Sequence, residues 1–117
     1  MKKYELAYLT SFVDDMRLIT EFLSQYPEGI SDKFADEVEI QIQSLRTFPK
    51  RFAIFEPMPV FRRMLVLYDY QVFYTINERK KLVQVHHILH GHRDILKFMQ
   101  YESEFGSNCV NSKSSSP

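Results

Sequence analysis

Tryptophan is absent from this 117-residue chain, and cysteine occurs once, as Cys109 in a polar stretch near the end. A lone cysteine excludes an internal disulfide and a cysteine-based metal site. Long apolar runs are missing too. Met1-Lys2-Lys3 leads into the mixed segment 4–9, too short and too polar for a secretory leader, and no later segment approaches the ~20 apolar residues of a membrane-spanning helix. The expectation is a cytoplasmic protein that does not engage a membrane. Neither an internal repeat nor an interdomain linker is visible, and a chain of this length closes one hydrophobic core but not two.

What is present is ordinary for a globular fold: 44% hydrophobic and 26% charged residues, with seven Tyr and ten Phe to build core and contact surface. The formal charge of zero hides an asymmetry. Residues 1–45 hold four Lys/Arg against nine Asp/Glu, whereas residues 46–97 hold ten against four. Arg46, Lys50, Arg51, Arg62, Arg63, Arg79, Lys80, Lys81, Arg93 and Lys97 supply the excess. Such a half-chain suits a phosphate-attracting face or one that meets an acidic protein; basic residues also guard strand edges and turns.

Segment 4–9 reads as a strand. Thr10 or Ser11 then offers an N-cap oxygen, with Asp14 placed to complete a capping box from Ser11. Phe12, Met16, Ile19, Leu23 and Tyr26 recur at helical spacing, with Val13 and Phe22 widening the stripe, until Pro27-Glu28-Gly29 breaks it. A second stripe runs from Ile30 through Phe34, Val38, Ile42 and Leu45 to Phe48, where Pro49 stops it. Residues 60–68 alternate as a strand exposed only at its start, Asp69-Tyr70 forms a tight connection, and residues 71–76 and 82–89 form two further strands across the polar turn Asn77-Glu78-Arg79-Lys80. The pattern is β-α-α-β-β-β, an α+β fold in which a helical hairpin packs on a mostly antiparallel four-stranded sheet. Ile95 to Tyr101 reads as a short helical turn that packs back through Ile95, Phe98 and Met99. One domain, 1–105, is expected, followed by a flexible polar tail, 106–117, rich in Ser and Asn.

This order of elements, the segment Asp69-Tyr70-Gln71-Val72-Phe73-Tyr74, the Asn77-Glu78 turn and the ending Ile88-Leu89-His90-Gly91-His92-Arg93-Asp94-Ile95 together resemble the RelE/ParE toxins of type II toxin–antitoxin systems, a family that includes plasmid stabilisation proteins. The similarity covers about residues 4–99. It implies a bacterial growth-inhibiting toxin neutralised by a cognate antitoxin whose flexible segment wraps around it. RelE-like members cut mRNA on the ribosome without a metal, and ParE-like members act on DNA gyrase. One scaffold serves both, so the fold does not choose between them.

Metal-free RNA cleavage requires activation of a 2′-hydroxyl, stabilisation of the crowded phosphate and protonation of the leaving oxygen. By the resemblance, Arg93 matches an arginine that contacts the scissile phosphate in RelE-like RNases; an ion pair with a carboxylate is the structural alternative. His90 and His92 have the titration range of an acid or base, and an extended backbone turns both to one side. Backbone hydrogen bonding is the commoner fate of such histidines. His86 and His87 should face opposite sides of a regular strand, one packed and one exposed. No carboxylate or cysteine stands at ligand spacing from these four histidines, so no metal or cofactor is expected. Arg62 and Arg63 sit where RelE-like proteins carry RNA-holding basic residues, on opposite faces. Tyr101 is suited to stacking on a base, and Tyr74 to packing within the sheet. Gln71 departs from the RNase pattern, which often has arginine there. The preferred reading is a toxin that disables gyrase by binding; a ribonuclease and a non-toxic antitoxin-binding module are the alternatives. Helix-in-groove docking or strand addition would hold the antitoxin.

Overall fold

A computed structural model describes residues 3–27 and 29–91. Four strands and two helices follow in the order β1 (Glu5–Tyr8), α1 (Thr10–Leu23), α2 (Ile30–Gln43), β2 (Arg62–Leu65), β3 (Tyr70–Asn77) and β4 (Leu82–His90). The sheet runs β1-β4-β3-β2, with β1 parallel to β4 and the other two pairings antiparallel. It is therefore the α+β arrangement expected, a helical hairpin on a mostly antiparallel sheet. Among the described residues no helix is long and apolar enough to cross a membrane. The expected helical turn at 95–101 and the polar tail lie outside the described residues.

The principal core lies between helices and sheet. Phe34, Val38 and Ile42 of α2, and Leu45 just after it, are buried against Met64, Val72, Tyr74, Val83, Val85 and Ile88. All but Ile88 are positions that the 3.6-residue or two-residue period turns inward; Ile88 is three residues beyond Val85, across an irregularity in β4. Tyr74 is fully buried, and its hydroxyl donates to Pro49 O at 2.6 Å, so the ring packs and the polar tip is satisfied. Burial pushes that hydroxyl's pKa up to about 12.

Four details differ from the sequence-based reading. Ser11 forms no capping box: α1 begins at Leu9 as N-cap, and Ser11 Oγ instead donates to His86 O at 2.6 Å. Val13, Phe22 and Tyr26 do not widen the buried stripe but face outward. α2 ends at Gln43 and tightens into a 3-10 turn, Ser44–Arg46, and Phe48, past that turn with a non-helical backbone (φ −129°, ψ 68°), is exposed. β2 is half its expected length, because Leu67–Asp69 coils into a 3-10 turn with Tyr68 and Asp69 both left-handed (φ 58° and 64°). As β2 is an edge strand, Leu65 at its end is 66% exposed, so exposure is not confined to the start.

The sheet's other face carries a second cluster. Phe55 and Phe61 from the loop before β2 fold over Phe73 and Leu89, with Met58 beside them. Bonds from Arg63 N to Ala53 O and from Phe55 N to Phe61 O hold that loop down.

Candidate functional site

Arg62 and Arg63 sit on opposite faces of β2, paired with Tyr74 and Phe73 respectively. Arg62 is occupied structurally. Its Nη1 donates to Phe52 O at 2.7 Å and to Lys50 O at 3.3 Å, tying the preceding loop to the sheet. Arg63 is exposed, with its guanidinium 5.6 Å from the Phe55 ring centre. This partial cation–π contact leaves charge available to solvent.

His90 closes β4. Its ring stands edge-on to Tyr70 with centroids 5.0 Å apart. Tyr70, its register partner, lies four positions along β3 from Tyr74, and β4 and β2 flank β3 on either side. His90 and Arg62 are thus roughly 16 Å apart by ordinary strand rise and spacing. The described candidates do not converge on one reacting group. His92, Arg93 and Tyr101 lie outside the described residues.

His86 and His87 are not one packed and one exposed. Phe73 pairs with His87 and Tyr74 with Val85, so His86 is an extra residue, a β-bulge that breaks the alternation assumed from sequence. His86 is largely enclosed, edge-on to Phe61 and within 3.0 Å of Thr75 Oγ1. Burial first, and neighbouring His87 second, lower its pKa to about 4. His87 is 4% exposed and meets Asp15 Oδ2 at 3.1 Å, while the same oxygen accepts from Ile88 N at 3.1 Å. Both histidines are structural. Among the described residues no three His, Cys, Asp or Glu side chains gather as a metal site would need.

Beside them runs a groove of 210 Å³ between α1 and the end of β4, lined by Asp15, Leu18, Ile19, Phe22, Tyr70, Ile88 and His90. Its outer wall is Leu18 and Phe22, 58% and 51% exposed, a pair at i, i+4 that shows two large apolar side chains to water. The sequence signal was there, since Leu18 lies off the buried stripe and Phe22 on its margin; its meaning depended on which face α1 presents.

The basic half is partly spent at the opposite end of the sheet. Glu78 in the β3–β4 turn contacts Lys50 at 3.0 Å and Lys81 at 3.2 Å and accepts from Tyr4 Oη at 2.8 Å. The Lys50 contact first, then Tyr4, hold its carboxyl down at about 2.

Gln71 is 8% exposed on the face opposite the helices, paired with Leu65 and Leu89. Gly91 N donates to Asp69 O at 2.8 Å, and a side chain on Gly91 would begin 2.8 Å from Gln71 Nε2 and 3.1 Å from Asp69 O. A side chain there would have to displace the Gln71 carboxamide and press on the Asp69 carbonyl. The family model for the ParE toxin of the type II toxin–antitoxin system parDE matches residues 6–95. The chain belongs to the ParE toxin family.

No curated protein matches the sequence of this ParE-family chain. Among solved structures it is similar to one of a chromosomal ParDE toxin–antitoxin system from P. aeruginosa, with TM-score 0.65 and 13% identity over 75% of this chain and 96% of that one. A mutant of the E. coli toxin RelE in the free state gives TM-score 0.60 and 12% identity, covering 86% and 97%. The RelBE2 toxin–antitoxin complex from Mycobacterium tuberculosis gives 0.54 and 18%, covering 77% and 93%. At these identities the likeness establishes the fold. The ParE-family scaffold therefore carries an apolar groove at one end of β4, a Glu78-centred charge knot at the other end of the sheet, and a buried neutral Gln71 between β2 and β4.

Proposed function

We propose that this type II toxin arrests growth by binding a protein target, DNA gyrase in the ParE manner, and is neutralised by a cognate antitoxin. The observation that carries the reading is Gln71: a neutral, buried carboxamide stands where the RNase pattern would place a guanidinium. A fixed positive charge is the chief means of stabilising a crowded phosphate without a metal, and Gln71 supplies none. The engagement of Arg62 by two backbone carbonyls removes a second candidate from phosphate duty. Exposed Arg63 belongs to the target-binding surface, as does Arg93, matched by resemblance. The groove beside Leu18 and Phe22 suits apolar anchors of an antitoxin helix, and solved relatives include toxin–antitoxin complexes.

The test is induction of the chain without its antitoxin, followed by parallel inspection of DNA and transcripts. Gyrase-linked DNA breaks with intact mRNA are expected. Transcripts cut at defined positions, with DNA intact, would instead establish the RelE-like ribonuclease acting on the ribosome, and harmless accumulation of folded protein would leave only an antitoxin-binding module.

A further inference from the structure

Asp15 lines the groove between α1 and the end of β4, and its carboxylate is used unevenly. Oδ2 accepts from Ile88 N and meets His87 Nδ1, both at 3.1 Å. Oδ1 has no partner among the described residues, and the side chain is 16% exposed, so solvent reaches it. No cation answers it locally. Leu18, Ile19, Phe22 and Ile88 form apolar walls, and among the described residues no Lys or Arg lines the groove. Arg17, on the same helix, is drawn instead to Asp14 at 3.8 Å and Glu21 at 3.6 Å on the exposed side. A carboxylate in apolar surroundings attracts a cation more strongly than one in open water does. The way in is open: Leu18 and Phe22, the outer wall, are exposed, and 210 Å³ of space lies behind them.

We propose that this groove seats one lysine of the cognate antitoxin, its methylene stem along Leu18 and Phe22 and its ammonium on Asp15 Oδ1. The inference rests on the antitoxin-binding reading above and adds the chemistry of its central contact. Long cationic side chains lay their stems on apolar surface and keep the head on a polar partner, which is the combination this groove presents. Lysine suits it better than arginine. A guanidinium fork seeks both oxygens of a carboxylate, whereas Oδ2 is already engaged twice and a single acceptor remains for a compact ammonium. Charge also selects the partner. Residues 1–45, which include α1, hold nine Asp/Glu against four Lys/Arg, whereas exposed Arg63 of the target surface lies with Phe55 on the sheet's other face. The acidic groove and the basic face call for different partners.

The first probe is n-butylammonium, a lysine side chain without its backbone, titrated at constant ionic strength into the ¹⁵N-labelled chain. The Ile88 amide, which bonds to Asp15 Oδ2, is the reporter, and n-butanol is the uncharged control. Butylammonium should shift the Ile88 resonance saturably and bind about 10-fold more tightly than the alcohol, the worth of one charge-assisted bond. Asp15→Asn should reduce it to the level of the alcohol. Because Asp15 also seals β4, exposed position 18 supplies a comparison that spares the fold: Leu18→Glu should bind butylammonium about 5-fold more tightly than Leu18→Lys. No saturable shift, equal binding of ammonium and alcohol, or equal binding by the two position-18 variants would each overturn the proposal. The second probe is the antitoxin itself, co-expressed and purified as the complex. Carbodiimide, which joins a carboxylate to an amine in contact with it, should link Asp15 to an antitoxin lysine, read by mass spectrometry of the digested complex. Coupling at other carboxylates but not at Asp15, or a link from Asp15 to gyrase instead, overturns the antitoxin as occupant. The butylammonium titration involves neither partner, so its failure leaves the toxin–antitoxin reading intact, and failure of the chain to bind any antitoxin removes that reading without touching the titration.

Discussion

Residues 82–85 and 86–90 of β4 are completed in different ways. The first half has a strand on each side, β1 in parallel and β3 antiparallel, with Val83 and Val85 fully buried between. Beyond Tyr8 the chain turns into α1, and the exposed edge of β4 passes to helix side chains: Ser11 Oγ bonds His86 O, and Asp15 Oδ2 takes Ile88 N and His87 Nδ1. Polar side chains thus replace a missing strand. That substitution brings α1 close to the end of β4 and opens the apolar groove between them, so the irregular half is where binding surface is available.

The contrast predicts unequal sensitivity. His86 sits at the junction, and its folded pKa of about 4 lies below the ordinary 6.5. With a depressed folded pKa, its contribution is complete above about pH 6.5 and is lost as pH falls toward 4, at about 1.4 kcal/mol per pH unit and about 3 kcal/mol in all. Denaturant unfolding from pH 7 to pH 4 should show this slope, and His86→Gln should flatten it. Next in size, Asp15→Ala leaves a buried backbone N–H and the His87 ring without their acceptor and should cost about 2 kcal/mol by the same measurement. Asp15→Asn, which keeps an acceptor oxygen, should recover part of it. Ser11→Ala, losing one bond to a strand carbonyl, should cost about 1 kcal/mol. If Asp15→Ala and Ser11→Ala both left stability unchanged, the helix would not be sealing the strand.

Much of the fold was legible because it repeats. The stripe Phe34, Val38, Ile42, Leu45 marks α2, alternation marks β3 and β4, and Asn77 marks their turn, where its Oδ1 accepts from Lys80 N at 3.0 Å. Nonlocal features were not legible. The bulge at His86 has no period of its own, and it converted an expected exposed histidine into an enclosed one. Phe55 and Phe61 reach Phe73 across a proline-containing loop, and no local pattern announces that back cover. The site was read less fully than the fold for the same reason: the role of Arg62 depends on carbonyls 10 and 12 residues away in sequence. Gln71 departs from the RNase pattern in the sequence itself, but its unpaired oxygen is a property of the packed structure.

The central claim, a gyrase-directed binding toxin, is tested most directly by adding the purified chain to purified DNA gyrase and following ATP-dependent supercoiling of a relaxed plasmid. Inhibition that rises with toxin concentration and is reversed by the antitoxin is predicted. Undiminished supercoiling at saturating protein, together with cleavage of mRNA on purified ribosomes, would contradict it.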